Sequence, residues 1–349
     1  MAQQVRFCTA ADGVGLAYAV HGQGPPIVRA ATWLTHLDFD WESPVWRHWL
    51  AELGSAHTLV RYDERGCGLS DHELGELCVD TWVGDLETVV DAAGVDRFAL
   101  LGVSQGAAVA LVYAARHPER VERLVIYGGY AQGRRRRNSA EQVEEADLQE
   151  RAILLGWGRD NPAFRQIFTS QFMANATAAE IAAWDDMQRL SCAAETAARI
   201  VRLTHDIDIR DLLPQVRVPT LVMHSTHDAR IPFDLGRAIA AGIPGAQFVP
   251  LESAGHNLMQ REPAFAQFFA EIDRFVGAGR GADMQGLTPR ETELLHHLAR
   301  GRSNEEIAQA MQVTSKTVRN VVSVIFDKLG VRTRAEAIVQ AREAGFGGS

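Results

Sequence analysis

The chain has 349 residues, a length that fits one large α/β domain together with a small second domain. Its 35 basic and 44 acidic residues give a net charge of −9, which argues against a DNA-binding surface that covers the whole molecule. The four cysteines have no metal-type spacing and show no sign of a disulfide framework, and the N-terminus lacks a signal pattern, so a cytoplasmic location is expected.

Short apolar runs recur along residues 1–277 and are separated by helical stretches. Because strands that alternate with helices form a largely parallel sheet with helices on both faces, this region is predicted to be one α/β domain. The predicted strands are 26–31, 58–62, 98–103, 124–127, 219–224 and 247–250.

Residues 131–213 break this rhythm, since they are helical, rich in alanine and carry several large aromatic side chains. An insertion of this kind is predicted to form a helical cap over a site. The arginine run 134–137 has the charge to contact DNA or an acidic ligand. An acidic helix follows the run, and a solvated loop is therefore the preferred interpretation.

A glycine-flanked serine stands between a predicted strand and a predicted helix. The segment Gly102-Val103-Ser104-Gln105-Gly106 follows strand 98–103 and precedes helix 107–116, which is the context of a G-x-S-x-G nucleophile elbow. The turn is so tight that larger flanking side chains would clash. These residues also interrupt the apolar stretch 98–115, so no membrane span is predicted.

Two further residues complete a possible catalytic triad. Asp228 lies just past strand 219–224, and His256 follows strand 247–250. In such a triad Ser104 attacks a carbonyl carbon, His256 accepts and returns the proton, and Asp228 orients the imidazole. The backbone N–H of Gln105 is a predicted oxyanion donor. A structural serine in a non-catalytic receptor is the alternative, and no metal site or cofactor is predicted.

A further motif, D-x-R-G-x-G-x-S, begins at Asp63. With this motif, the elbow and the chain order Ser, Asp, His, residues 5–277 resemble the α/β-hydrolase fold. The resemblance implies a mostly parallel sheet with a helical cap, and serine hydrolase chemistry on an ester or a lactone.

One segment departs from that family. The strand before Asp63 usually ends in His-Gly, followed by the second oxyanion donor, whereas residues 27–36 read I-V-R-A-A-T-W-L-T-H. The earlier His21-Gly22 belongs to the segment 21–26, which precedes the strand and is predicted to be a turn. The N–H of Trp33 is therefore the predicted second donor, with that of Thr32 as the alternative.

The C-terminal region begins after a glycine-rich segment, 278–286, which is predicted to be a short flexible linker. Capping boxes start at Thr288, Ser303 and Thr333. Apolar residues recur at helical spacing between them, so four helices are predicted in residues 287–349.

The second and third of these helices are predicted to form a helix-turn-helix, which places its second helix in the major groove of DNA. Arginine and asparagine can bind base edges, while lysine and hydroxyl groups suit phosphates. The predicted DNA-binding residues are Lys316, Thr317, Arg319, Asn320, Ser323 and Lys328.

The runs L-T-P-R-E, G-x-S-N-x-E-I-A and K-T-V-x-N-x-V-x-x-I-x-x-K-L-G occur in order in this region. With them, residues 287–349 resemble the DNA-binding domain of the LuxR/GerE family. The resemblance implies binding to double-stranded DNA, with dimerisation supported by a fourth helix, 335–343. Val321 stands where the family often has histidine, a difference expected to alter base preference and not the fold.

The two regions together indicate a transcriptional regulator whose α/β domain binds a small carbonyl-containing molecule and whose homodimer binds DNA. Residues 283–349 carry 9 basic and 8 acidic side chains, so a monomer should bind DNA weakly. A second hypothesis is an active serine esterase or lactonase that degrades its own signal, with DNA binding as the regulated output. A third is an enzyme whose C-terminal domain only mediates association. No membrane partner is expected.

Overall fold

The computed structural model describes residues 3–157, 159, 163–278, 287–331, 333–343 and 346–347. The chain divides into two compact units, Met1–Asp273 and Arg274–Ser349. The predicted linker 278–286 lies, from residue 279 onward, outside the described residues.

The larger unit is built on an eight-stranded sheet with the order β1-β2-β4-β3-β5-β6-β7-β8. The pairs β1–β2 and β2–β4 are antiparallel, and all other pairs are parallel. The fold class expected from the sequence is therefore confirmed. The strands are β1 Gln4–Thr9, β2 Gly15–Gly22, β3 Pro26–Arg29, β4 Thr58–Tyr62, β5 Phe98–Val103, β6 Val121–Tyr127, β7 Thr220–Ser225 and β8 Gln247–Leu251.

The hairpin of β1 and β2 is the part of the sheet that the apolar runs do not predict. β1 lies at the edge of the sheet and most of its side chains are exposed, so it carries no continuous apolar run. His21 and Gly22 end β2, where they pair with Leu59 and Thr58 of β4. The turn predicted for residues 21–26 is therefore present but shorter, since only residues 23–25 lie between β2 and β3.

Helices cover both faces of the sheet. α4 follows β5 directly and buries almost its whole length, because nine of its eleven residues are apolar or glycine and packed against β5 and β6. Within the described residues, none of the helices combines the length and the apolar composition that crossing a bilayer requires. The helices outside the cap are α1 Leu37–Glu42, α2 Arg47–Ala56, α3 Val79–Ala92, α4 Gly106–Arg116, α9 Phe233–Gly242 and α10 Pro263–Ala278.

The cap is inserted between β6 and β7. It contains four helices, and α5 packs mainly against α8. Trp184 of the cap lies with its ring 6.0 Å from that of Trp46 in the body, which anchors the two parts together. The cap helices are α5 Ala140–Gly156, α6 Ala163–Phe172, α7 Ala178–Ser191 and α8 Ala194–Asp206, flanked by the 3-10 helices Arg134–Arg136 and Arg210–Gln215.

The arginine run at the start of the cap is not the solvated loop that the sequence favoured. Arg134 lies 2.7 Å from Glu145, and Arg135 lies 2.6 Å from Asp147. The side chains of Arg134 and Arg135 are only 17 % and 20 % exposed. The acidic helix α5 therefore folds back onto the run and pairs with it.

The smaller unit contains the four predicted helices. Each of the first two begins with a reciprocal capping box, Thr288 with Glu291 and Ser303 with Glu306, as predicted. Their apolar faces meet in one core that includes Leu295, which is completely buried. The helices are α11 Pro289–Ala299, α12 Asn304–Ala310, α13 Ser315–Leu329 and α14 Arg334–Glu343.

Candidate functional site

Ser104 occupies a strained turn between β5 and α4. Its φ is +52°, in the left-handed region that non-glycine residues rarely adopt. A Cβ on Gly102 would lie 2.8 Å from the Cα of Ala107, and one on Gly106 would lie 2.6 Å from the carbonyl oxygen of Ala31. Both predicted elbow glycines are therefore required by the close approach of neighbouring backbone.

Asp228 and His256 form a close pair. The Nδ1 of His256 lies 2.7 Å from Oδ2 of Asp228, and both side chains are buried. The other oxygen, Oδ1, accepts the backbone N–H groups of Arg230 at 2.8 Å and Ile231 at 2.9 Å. Burial alone would raise the pKa of Asp228, but His256 and the N–H of Ile231 outweigh it and hold that pKa below its ordinary value. The carboxylate is thus kept ionised and fixes the imidazole ring.

Ser104 and His256 lie against consecutive residues, Tyr127 at the end of β6 and Gly128 after it. The N–H of Ser104 donates to the carbonyl oxygen of Tyr127 at 2.9 Å, and a Cβ on Gly128 would lie 3.0 Å from Cε1 of His256. The buried Nε2 of His256 has no hydrogen-bond partner within the part of the chain that the structure describes. This atom is the one that a triad uses to accept the serine proton.

Two backbone N–H groups are available beside Ser104. Trp33 and Gln105 line, with Ser104, a small cavity of about 20 Å³. Neither N–H makes a hydrogen bond to any described residue. Thr32 does not line this cavity, and its hydroxyl donates instead to the carbonyl oxygen of Val103 at 3.0 Å. This geometry favours Trp33 over Thr32 as the second oxyanion donor, although the assignment stays a prediction.

The Asp63 motif holds the loop that carries Trp33. Oδ2 of Asp63 accepts the N–H groups of Leu37 at 3.1 Å and Leu69 at 2.8 Å. The hydroxyl of Thr35 accepts the N–H of Glu64 at 2.8 Å. The motif therefore acts on the site indirectly, by fixing the path of the chain between β3 and α1.

Two residues that the sequence did not single out belong to the site. Glu64 is 1 % exposed and accepts the side-chain N–H of Gln105 at 3.0 Å. Burial raises the pKa of Glu64 to about 8. Arg230 lines the small cavity beside Ser104. Neither position carries a sequence signal, because Glu64 fills a variable position of its motif and Arg230 depends on what the cap places around it.

A metal centre finds no support in the geometry. Across the described ranges, no group of three or more His, Cys, Asp or Glu side chains is arranged to hold a metal ion. Nε2 of His224 donates to the carbonyl oxygen of Ile231 at 2.9 Å, and it lies 3.6 Å from Oδ2 of Asp228. This histidine therefore packs beneath the Asp228 loop.

The smaller unit presents a polar helix face. The predicted DNA-binding residues on the first half of α13 are all exposed. Residues three, four and seven positions apart share one face of a helix, so this set forms a continuous surface. The residues are Lys316, Thr317, Arg319, Asn320 and Ser323.

Lys328 does not join that face. Its ammonium lies 2.8 Å and 3.0 Å from the two carboxylate oxygens of Glu291, so it ties α13 to α11. It lies five residues beyond Ser323, in the last turn of α13. The pairing gives Lys328 a structural role in the helical core, and its contact with DNA stays a prediction. Val321 is half-buried against that core, so its side chain contributes packing.

Comparison with known proteins gives two family matches. Residues 40–202 match the model of the alpha/beta hydrolase fold, and residues 285–341 match that of bacterial regulatory proteins of the luxR family. The second match covers the four helices of the smaller unit almost to the end of α14.

Similar proteins cover the larger unit. A RutD protein of Azorhizobium caulinodans, which carries the name of a carbamate hydrolase, is 27% identical over 74% of this chain and 96% of its own length. The pyrrolizixenacetamide deacetylase of Xenorhabdus hominickii is 27% identical over 69% of this chain and 87% of its own.

Solved structures share the fold. A hydrolase from Pseudomonas aeruginosa PA01 superposes with a TM-score of 0.66 at 24% identity, over 78% of this chain and 98% of that one. The strand order, the two family matches and this likeness agree. The chain is a fusion of an α/β-hydrolase-fold domain with a C-terminal helix-turn-helix DNA-binding domain of the luxR family.

Proposed function

We propose that the protein is a transcriptional regulator whose hydrolase-fold domain binds a small carbonyl-containing molecule under its cap and thereby changes DNA binding. The observation that carries this proposal is the presence, in one chain, of an exposed polar face on α13 and a buried Ser104 elbow beside the Asp228–His256 pair. A ligand shifts such a system only if it binds the two conformations unequally.

The active form is proposed to be a cytoplasmic homodimer. The DNA-binding region, residues 283–349, carries only one more basic than acidic side chain, whereas the residues before it carry a net charge of −10. Few phosphate contacts by one copy give weak and salt-sensitive binding, and two copies on adjacent half-sites roughly double the contacts.

DNA binding by the full-length protein tests this proposal. Binding to a pool of duplexes is measured by fluorescence anisotropy at low salt, with Arg319→Ala combined with Asn320→Ala as the control. We expect wild-type protein to bind and the double variant to lose most of its affinity. Equal binding by both proteins, or no binding at any salt concentration, would contradict it.

A second candidate function is hydrolysis of the ligand, which would end the response. Three features support it: the 2.7 Å His256–Asp228 contact, the partnerless Nε2 of His256 and the two free N–H groups beside Ser104. The names of the two relatives above also describe cleavage at a carbonyl carbon.

In this reaction Ser104 Oγ forms a bond to the carbonyl carbon while His256 Nε2 takes the hydroxyl proton. The N–H groups of Gln105 and Trp33 would stabilise the oxyanion. His256 then gives the proton to the leaving alcohol as the carbon–oxygen bond breaks. Water repeats these steps on the acyl-enzyme and releases the acid.

Hydrolysis is tested with a panel of activated esters and lactones, together with a fluorophosphonate label. Wild-type protein is expected to be labelled and to turn over, and Ser104→Ala to do neither. Equal rates in both proteins would assign the activity to a contaminant. An unlabelled wild type that still binds DNA would leave the receptor proposal standing and remove the enzyme.

A further inference from the structure

A second cavity, much larger than the one beside Ser104, lies within the cap region. Its volume is about 740 Å³, whereas the space next to the serine is about 20 Å³. Ligand pockets commonly measure about 300–1,000 Å³, so the larger cavity has the size of a small-molecule site. Arg230 lines both cavities, which makes it the link between them.

The larger cavity has an excess of positive charge. Four arginines, at positions 134, 137, 151 and 230, line it together with a single carboxylate, that of Glu145. Glu145 lies 2.7 Å from Arg134 and so compensates only that guanidinium. A net positive charge remains in the cavity walls.

Arg151 is exposed, so Arg137 and Arg230 are the half-buried guanidinium groups of this excess. Arg137 donates from Nε to the carbonyl oxygen of Gln132 at 2.9 Å, and Arg230 donates from Nη1 to the amide oxygen of Gln171 at 3.2 Å. Both of these acceptors are neutral. Among the residues described, neither arginine lies within ion-pair distance of a carboxylate.

Asp228 does not neutralise Arg230. Its two oxygens are occupied by His256 and by the backbone N–H groups of Arg230 and Ile231. Burial, and after it the nearby charge of Arg134, lowers the pKa of Arg230 to about 10. A partly buried cation in this situation gains most from an anion that enters the cavity.

The positive charges of these arginines also act on the pKa of His205, which lies near them. Its pKa is lowered to about 2, first by burial and then by the charges of Arg230, Arg134, Arg135 and Arg137. The imidazole therefore stays neutral and leaves the arginines as the charged groups of this region.

The rest of the cavity wall combines three glutamines with a group of apolar side chains. Leu148, Leu155 and Ile167 line it and are 67 %, 56 % and 53 % exposed. Large apolar side chains that share a cavity and face solvent mark a surface that a ligand covers. The two leucines lie seven residues apart on α5 and therefore on one face of that helix. The N-terminal part of α5, which lies near the arginine run, is polar.

We propose that the cap cavity binds an amphipathic carboxylate, with its charged end between Arg137 and Arg230 and its apolar chain along Leu148, Leu155 and Ile167. The proposal rests on the ligand-binding function above and gives the chemical class of that ligand. Charge complementarity favours this occupant, because a neutral chain would leave both guanidinium groups without an anion.

The test is calorimetric titration of the full-length protein with octanoate and decanoate, and with octanol as a neutral probe. We expect the carboxylates to bind and octanol to bind at least about tenfold more weakly. Arg137→Gln should weaken carboxylate binding by about tenfold or more, and Leu155→Asp should abolish it.

Matched variants keep the result interpretable. Arg237→Gln removes an exposed arginine outside the cavity, 3.1 Å from Asp234, and should leave binding unchanged. Arg230→Gln is a second test of the charged end, but its backbone holds Asp228, so Arg137→Gln carries the decision. Equal binding of octanol and octanoate, or an unaffected Arg137→Gln, would overturn the proposal.

Other occupants of this surface have distinct signatures. Co-sedimentation with phosphatidylglycerol vesicles, without octanoate binding, would identify a lipid surface as the occupant and overturn the proposal of a carboxylate. A dimer that Leu155→Asp converts to a monomer, again without octanoate binding, would identify a second copy of this chain as the occupant. Octanoate binding that leaves DNA affinity unchanged would support the cavity assignment and refute the proposed regulator. DNA binding that responds only to a neutral carbonyl compound would support the regulator and refute the cavity assignment.

Discussion

At the scale of single residues, the position of Ser104 depends on the glycine two residues after it. A methyl group at Gly106 would lie 2.6 Å from the carbonyl oxygen of Ala31, in the loop that leads to Trp33. Gly106→Ala must therefore move backbone. We expect a loss of about 1–3 kcal/mol in the free energy of unfolding, measured by urea denaturation.

Gly84 provides the matched control, because it lies in α3 with nothing within 4 Å of a built Cβ. Gly84→Ala should stabilise the protein by about 0.4–1 kcal/mol, since alanine restricts the unfolded chain. If Gly106→Ala were as stable as Gly84→Ala, the close packing of the elbow described above would be wrong.

The buried Glu64 should make the free energy of unfolding depend on pH. Its pKa rises from an ordinary 4.5 to about 8, so between these values the folded state holds a proton that the unfolded state has released. The contribution of Glu64 to the free energy of unfolding is fully present below pH 4.5 and is lost as the pH rises to about 8. The slope is at most about 1.4 kcal/mol per pH unit.

Replacement of Glu64 by glutamine, which is neutral at every pH, should remove that slope. Urea unfolding at several values between pH 5 and pH 8 measures it, with Glu52→Gln at an exposed position as the control. An identical decline in wild type and Glu64→Gln would show that Glu64 is not the group that titrates.

Residues with a local pattern could be predicted, and those defined by distant neighbours could not. Ser104 could be predicted from its flanking glycines. Asp228 and His256 could be predicted from their positions directly after strands. The role of Arg230 depends on a cavity that the cap completes. The pairing of Lys328 with Glu291 could not be predicted, because Glu291 lies 37 residues away in the chain.

At the scale of elements, the same distinction applies to strands. The six strands predicted from apolar runs are present because parallel strands are buried on both faces, as β5 is throughout. The edge hairpin was missed because β1 exposes four of its six side chains and because the apolar run 16–20 of β2 was not recognised as a strand. The four short helices of the C-terminal domain were predictable because capping boxes mark three of their starts.

The helix α13 should combine two kinds of contact with DNA. Arg319→Ala should cost about 1–3 kcal/mol at a preferred site and relax the base choice at one position. Lys316→Ala should weaken all sequences alike and reduce the salt slope by about 0.9. Anisotropy titrations on selected and random duplexes at several salt concentrations distinguish these outcomes.

Lys328→Ala is the control for that helix. Since its ammonium is held by Glu291, this variant should lower stability and leave the salt slope of the folded protein unchanged. A salt slope reduced as much as in Lys316→Ala would restore Lys328 to the DNA-binding face. An effect of Lys316→Ala confined to one base position would contradict its assignment to phosphate.

At the scale of the whole molecule, two domains with different chemistry share one chain. The closed space beside Ser104 and the open, arginine-lined cavity of the cap share Arg230, so an anionic ligand held in the cap would lie near the serine. Both candidates require the ligand to bind two conformations with different affinities.

The most direct measurement of this account is the DNA affinity of the full-length protein with and without saturating decanoate, in wild type and Arg137→Gln. We predict that decanoate changes the wild-type affinity by about fivefold or more, in line with common coupling energies, and that Arg137→Gln loses the response while it still binds DNA. Identical isotherms with and without decanoate, in wild-type protein shown by calorimetry to have bound it, would contradict the claim that the hydrolase-fold domain controls the DNA-binding domain.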